Sequence, residues 1–326
     1  VEVKTVPAGS IFKALKKNAA KLQIPIGSFD ENDPEDVRLE SLVPAVDPYY
    51  RFPSEHVISL LLVMQERDNA LLVGPTGVGK TMLPTQLAAK LHLPVTRINF
   101  HGELGSPEVF GYFGLTDPSK PNDDGWKWTA LTQAIQRPGV VVLDEWDAAR
   151  AEMAIGLQRL LEDHDPGLFL SERDEFIPRH KDCILIATAN TRGLGDDTGL
   201  YAGTSSQNFA QLNRFHLVME MNPLPEKNMK VILSKVEFNG RALKDEFVEA
   251  LVNFYASTLS AWKQDELTAP MSVRMVLHFA KYFQILGPQA LDATILQKLP
   301  TDKDKVIVEQ LADRQSLADP KRKVNS

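Results

Sequence analysis

Residues 74–81 read Gly74-Pro75-Thr76-Gly77-Val78-Gly79-Lys80-Thr81, directly after the apolar run Ala70-Leu71-Leu72-Val73. An apolar strand that breaks into a glycine-rich loop and resumes as a helix leaves few architectures open. The loop must turn several backbone amides toward one anion, and the positive end of the following helix adds to that field. The arrangement implies a nucleoside triphosphate cradled by all eight loop residues, Gly74 to Thr81. Lys80 would reach the β- and γ-phosphates and the Thr81 hydroxyl would hold a metal. The expected cofactors are a nucleoside triphosphate and Mg²⁺.

The pattern around the loop alternates strand and helix, which predicts an α/β fold with a parallel sheet covered on both faces. A helix is predicted over Val57–Arg67, a strand over Ala70–Val73, a helix over Thr81–Leu91 and a strand over Val95–Phe100. Strand Val140–Leu143, helix Ala151–Glu162 and strands Ile184–Ala189 and His216–Met221 continue the sheet. Pro223 and Pro225 mark a boundary, and four helical segments follow: Glu226–Val236, Asp245–Ser260, Val273–Leu286 and Ala290–Lys298. The expected organisation is an accessory leader over 1–48, an α/β nucleotide-binding core over 49–222, and a small helical lid with a basic tail over 223–326. In the leader, an amphipathic stretch from Ile11 to Leu22 precedes an acidic segment from Phe29 to Asp36.

A second signature is Val140-Val141-Val142-Leu143-Asp144-Glu145. A buried strand here would deliver Asp144 to its C-terminal edge, where it could coordinate Mg²⁺ directly or through water. Glu145 would then polarise the attacking water. The strand Ile184–Ala189 ends in Asn190, which could orient that water or simply form a turn. Arg214 stands just before the last strand. It could enter a neighbouring subunit's site, or it could form an ordinary surface ion pair. Arg274 opens a lid helix and could contact the γ-phosphate or pair within its own domain. Asp147 could belong to the site or cap the next helix.

These parts occur in the order found in AAA+ ATPases, and the chain resembles that family from about residue 45 to 300. The resemblance implies a P-loop core with a C-terminal helical lid and ATP as the bound triphosphate. The segment Gly102–Trp128 falls where the MoxR-type branch carries its helix-2 insert, and Phe169–Pro178 where it carries a pre-sensor hairpin. Val43-Pro44-Ala45-Val46-Asp47-Pro48-Tyr49, Asp144-Glu145-Trp146-Asp147-Ala148, Gln158-Arg159-Leu160-Leu161-Glu162 and the run Ala187 to Tyr201 resemble the ATPase subunits of aerobic cobaltochelatases. That likeness continues through Gly203-Thr204 to the motif Gln211 to Phe215.

The resemblance implies a homo-oligomeric, hexameric ring that hydrolyses ATP to remodel a partner complex. Lys80 and Thr81 would bind nucleotide and metal, Asp144 would complete the Mg²⁺ site, Glu145 would activate water and Asn190 would orient it. Arg214 would act on the next subunit's nucleotide, and Arg274 would couple lid angle to nucleotide state. The implied partners are a von Willebrand-type adaptor and a large chelatase-like subunit. The alternative is a MoxR-type chaperone or activator, phage-encoded forms included, with an unrelated client. A nucleic-acid motor is the third reading.

Composition argues against that third reading. A net charge of −7 is a poor basis for a dedicated duplex-binding protein. Lys127 between Trp126 and Trp128 resembles a base-stacking surface, but a hairpin packed on its own subunit or on a pore partner is the expected role. The tail Pro320-Lys321-Arg322-Lys323-Val324 reads as a solvated terminus rather than an address or nucleic-acid arm. The seven histidines show no metal-ligand spacing, so no tetrahedral metal site is expected. The single cysteine, Cys183, lies in an apolar run and cannot form an internal disulfide. No apolar stretch approaches the ~20 residues needed to cross a bilayer, and Val1-Glu2-Val3-Lys4 does not read as a signal peptide. A soluble, cytoplasmic chain is expected.

Overall fold

The computed structural model describes residues 1–117, 119, 124–191, 212–238 and 240–317. Most of the Ala187 to Tyr201 run, the Gly203-Thr204 pair, the start of the Gln211 to Phe215 motif and the basic tail lie outside the described residues. So does part of the 102–128 insert.

Two compact units are present. The first comprises Val1–Asp47, Phe52–Gly74 and Lys80–Glu220, and the second comprises Pro48–Arg51, Pro75–Gly79 and the chain from Met221 onward. The break at Met221 falls next to the boundary expected at Pro223. The leader, Val1–Asp47, groups with the α/β core.

The leader is built on a strand pair that flanks the amphipathic stretch Ile11–Leu22. Strands β1 (Glu2–Pro7) and β2 (Gln23–Ser28) pair antiparallel, with Glu2 opposite Ser28 and Pro7 opposite Gln23. The core holds this pair in place. Gly27 N donates to Leu91 O at 2.9 Å and Gln23 N to Gln65 Oε1 at 2.7 Å. A side chain at Gly27 would overlap the His92 carbonyl, so the close approach requires glycine there. The acidic segment then forms a helix over Pro34–Glu40, which Asp33 caps through the Glu35 amide.

Five parallel strands form the main sheet: β3 (Asn69–Val73), β4 (Val95–Asn99), β7 (Gly139–Asp144), β10 (Cys183–Ala189) and β11 (Leu217–Glu220). Their order is β11-β3-β10-β7-β4. Every residue of β3, β7 and β10 is buried, as the unbroken apolar runs require of central strands covered on both faces. The edge strands β4 and β11 alternate instead, carrying Arg97 and Asn99 on one and Glu220 on the other. The order places the C-terminal ends of β3, β10 and β7 side by side, and Gly74 N donates to Ala189 O at 3.2 Å.

Two small hairpins form separate two-stranded sheets beside this sheet. β5 (Tyr112–Phe113) pairs with β6 (Trp126–Lys127), and β8 (Gly167–Leu170) pairs with β9 (Glu175–Pro178). Trp126 is buried in the main core, so the hairpin packs on its own subunit as expected. Arg173, from the turn of the second hairpin, pairs with Asp124 at 2.5 Å and lies 5.3 Å from the centroids of both Trp126 and Trp128. It ties the two hairpins together.

The helix expected over Ala151–Glu162 breaks in two. An α-helix covers Ala151–Gly156 and a 3₁₀ turn covers Gln158–Leu161. The first helix ends on Gly156, where a Cβ would sit 2.8 Å from Phe110 Cζ, so the packing of Phe110 requires glycine there.

The second unit is mostly helical, with helices Glu226–Leu233, Asp245–Lys263, Val273–Leu286, Gln289–Thr294 and Asp302–Arg314. A short pair, β12 (Glu237–Phe238) and β13 (Arg241–Ala242), lies between the first two. Phe247, Phe254, Phe279 and Phe283 form its centre. The segment expected as one helix over Ala290–Lys298 divides at Ile295, whose φ of −124° and ψ of −65° leave the helical range. Helix Asp302–Arg314 was not anticipated. Among the described residues, no helix is long and apolar enough to cross a membrane.

Candidate active site

Lys80 is buried at the end of the phosphate loop, just before helix Met82–Lys90. Its ammonium donates to Gly74 O at 2.6 Å and to Asn190 Oδ1 at 2.8 Å. Burial pulls its pKa down to about 8, against the attraction of Asp147, Asp144 and Glu145. An incoming phosphate would favour the charged form again. The loop needs its glycines: Gly77 has φ +82° and Gly79 φ +97°, where side chains are strained. In the second unit Gly77 rests on Ser272, the residue that caps helix Val273–Leu286 through the Met275 amide.

Asp144 is buried at the end of β7. Its Oδ1 accepts the Thr81 hydroxyl at 2.8 Å and also the Thr188 hydroxyl. Its Oδ2 is ion-paired with Arg97. Glu145 follows in the left-handed region, with φ 55° and ψ 43°. That conformation costs a non-glycine residue roughly 1–2 kcal/mol. The turn carries the exposed Glu145 side chain away from the strand, while the Glu145 amide donates to Thr188 Oγ1 at 3.2 Å.

Asp147 resolves differently from its capping alternative. Its Oδ2 accepts from the Asn190 and Thr191 amides, each at 2.9 Å, and from the Thr191 hydroxyl at 3.1 Å. The residue preceding helix Ala151–Gly156 is Arg150, which supplies no side-chain cap. Asp147 thus fixes the backbone that presents Asn190.

The structure therefore joins Lys80, Thr81, Asp144 and Asn190 directly, with Glu145 next in the chain. Arg214 lies elsewhere in the same unit, pairing with Glu162 Oε1 at 3.2 Å and Gln158 Oε1 at 3.4 Å. Arg274 belongs to the second unit and is exposed in the first turn of its helix. Thr188 and Arg97 were missed by sequence reasoning. A buried hydroxyl inside an apolar strand was the available signal for Thr188, because buried polar groups find partners. Arg97 offered only a charge within a strand.

The donor set fits a hard divalent cation. Two oxygen ligands, the Thr81 hydroxyl and the Asp144 carboxylate, lie together, and Arg97 shows that the carboxylate accepts a cation. Among the described residues, no group of three His, Cys, Asp or Glu side chains could hold a metal alone. A metal here would be shared with phosphate oxygens, as suits Mg²⁺.

Comparison with known proteins agrees with this geometry. The AAA domain of the dynein-related subfamily matches residues 69–236. The aerobic cobaltochelatase subunit CobS of a Sinorhizobium species is 31% identical over 249 residues, covering 76% of this chain and 75% of that protein. BssE of Thauera aromatica is 28% identical, covering 80% and 86% respectively. The denitrification regulatory protein NirQ of Pseudomonas aeruginosa is 30% identical over 122 residues, covering 37% of this chain and 44% of that one. The chain belongs to the AAA+ ATPases, in the dynein-related subfamily, and is a MoxR-type member similar to CobS.

Proposed function

We propose that this chain is the motor subunit of a cobaltochelatase-like complex, in which ATP hydrolysis in a hexameric ring remodels a large partner subunit through a von Willebrand-type adaptor. The observation that carries this reading is the likeness to CobS over three quarters of both chains. The site geometry supports the chemical roles.

Lys80 and the amides of Gly74 to Thr81 hold the triphosphate. Thr81 and Asp144 hold Mg²⁺, which when bound neutralises charge developing on the phosphates. Glu145 takes a proton from the attacking water, and Asn190, held by Lys80 and Asp147, orients that water. Arg214 completes the site of the next subunit, so hydrolysis depends on assembly. Arg274 links nucleotide state to the helical unit, which turns phosphate loss into movement.

The test is capture with Glu145→Gln, which should bind ATP, stay assembled and retain its partner. The variant would be expressed in the source cell and purified with Mg-ATP, and the accompanying chains identified by mass spectrometry. Recovery of a large chelatase subunit and a von Willebrand-type protein supports the reading. Recovery of other clients without these two moves the chain to the general chaperone and activator class, which the likeness to BssE and NirQ favours as second choice.

A further inference from the structure

Asp144 already has a cation. The Arg97 guanidinium pairs with Oδ2, while Oδ1 is occupied by the hydroxyls of Thr81 and Thr188. Strand register explains the contact. Arg97 lies opposite Val142 and Asn99 lies opposite Asp144 in the parallel pairing of β4 with β7. Side chains two apart in a strand share a face, so Arg97 and Asp144 are diagonal neighbours on the same side of the sheet.

The two partners differ in their freedom. The Arg97 side chain is 55% exposed and that of Asp144 is 4% exposed. A carboxylate this deep is costly to leave charged and alone, so a partner cation favours the metal-free state. Mg²⁺ held by this carboxylate, directly or through one of the waters it keeps, would bring a second cation to it. A guanidinium and Mg²⁺ on one carboxylate would repel each other. Thr81 and Thr188 are held by a loop and a buried strand, whereas Arg97 sits on a flexible stem at a sheet edge. Arg97 is the partner able to leave.

We propose that Arg97 is a built-in counter-ion that occupies Asp144 when Mg²⁺ is absent and must swing off the carboxylate for metal–nucleotide binding. Arg97 acts through Asp144 and is a positioning residue that sets the Mg²⁺ requirement of the site. The inference rests on Asp144 being the metal-side carboxylate.

The test measures binding without turnover. A fluorescent, non-hydrolysable ATP analogue is titrated by anisotropy into wild type, Arg97→Met and Arg97→Lys, across Mg²⁺ concentrations and in EDTA. Arg97→Met should reach half-maximal binding at an Mg²⁺ concentration about fivefold lower, with affinity in EDTA no higher than that of wild type. Arg97→Lys, which keeps the charge, should lie between it and wild type. Metal-free Arg97→Met should also melt below wild type, and Mg²⁺ alone should recover part of the loss. Arg97→Gln serves the same purpose if Arg97→Met does not fold.

An unchanged Mg²⁺ requirement overturns the proposal. So does binding weakened equally with and without metal, which would make Arg97 a phosphate contact. If wild type itself binds the analogue independently of Mg²⁺, the metal reading of Asp144 fails first and takes this inference with it.

Discussion

Thr188 donates its hydroxyl to Asp144 across the buried pairing of β10 with β7, and the same oxygen accepts the Glu145 amide. One side chain therefore fixes both the Asp144 carboxylate and the backbone turn at Glu145. The turn is a strained one for glutamate. It persists because the amide it creates has a fixed acceptor. Thr188 stands behind Asp144 and Glu145, yet the placement of both depends on it.

Thr188→Val keeps the shape of the side chain and removes the hydroxyl. A buried hydrogen bond to a charged group is worth about 1.5–3 kcal/mol, so misplacement of Glu145 should lower kcat about tenfold or more. The KM for ATP should change far less, because Lys80 and the loop amides are untouched. Thr188→Ser should restore most of the rate. Steady-state phosphate release for the three proteins decides the matter, and equal kcat values would show that Thr188 is only a packing residue.

The two strained loop glycines should differ in what they tolerate. Gly79 has no described atom within 4 Å of an added Cβ, whereas Gly77 would overlap Ser272. Gly79→Ala should cost only the left-handed backbone strain, roughly 1–2 kcal/mol. Gly77→Ala adds a collision with a residue that caps a helix and cannot easily withdraw. Thermal unfolding should therefore place Gly77→Ala clearly below Gly79→Ala. ATP affinity should fall in both, since each bends the phosphate cradle.

How much of this was legible beforehand depended on whether a contact is local. Of the five core strands, β3, β7 and β10 were readable as apolar runs ended by loops, and the edge strands β4 and β11 as short runs that mix apolar and polar residues. The loop residues 74–81 and the Asp144-Glu145 pair were readable for the same reason, as strand ends. The β1–β2 pairing was not readable, because Pro7, Pro25 and Gly27 argue against a strand and its anchors, the Leu91 carbonyl and Gln65 among them, lie far along the chain. Arg97 and Thr188 acquire their meaning through register with β7, which the sequence does not state. Helix Asp302–Arg314 starts at the Thr301 cap, but its many charged residues obscure the apolar periodicity that marks the other helices.

Asp304 gives a pH dependence with a definite sign. It is buried, accepts the Thr268 amide at 2.9 Å and accepts the Thr301 hydroxyl at 2.8 Å. Burial works to raise its pKa, but the Thr268 and Thr301 hydrogen bonds outweigh it and hold the carboxyl below its usual 3.8. Below 3.8 the unfolded chain binds the proton first, so the stability Asp304 supplies is full above that pH and disappears as pH falls through the lower folded value. Asp304→Asn should lose about 1–2 kcal/mol at neutral pH. The gap from wild type should narrow near pH 3. Urea unfolding at the two pH values measures it, and a gap that stays constant would mean that the carboxylate charge contributes nothing.

Arg214 carries the prediction about assembly. In the single chain its guanidinium pairs with Glu162 and Gln158, and Glu162 is itself well exposed, so the pair stabilises the fold little. Its Nε is buried without a hydrogen-bond partner among the described residues. If Arg214 serves the neighbouring nucleotide, Arg214→Ala should bind ATP normally and melt close to wild type, while hydrolysis falls by about 10³-fold or more. Glu145→Gln should be equally inactive for a different reason, since it lacks the base but keeps the arginine. Mixing the two inactive proteins should then regain activity, because an Arg214→Ala subunit beside a Glu145→Gln subunit has its own base and a borrowed guanidinium. Recovery should follow the fraction of such mixed interfaces and be greatest near equal proportions. Normal hydrolysis by Arg214→Ala alone would place the arginine outside the reaction. Failure of the mixture to recover would confine Arg214 to its own subunit, holding Glu162 and Gln158.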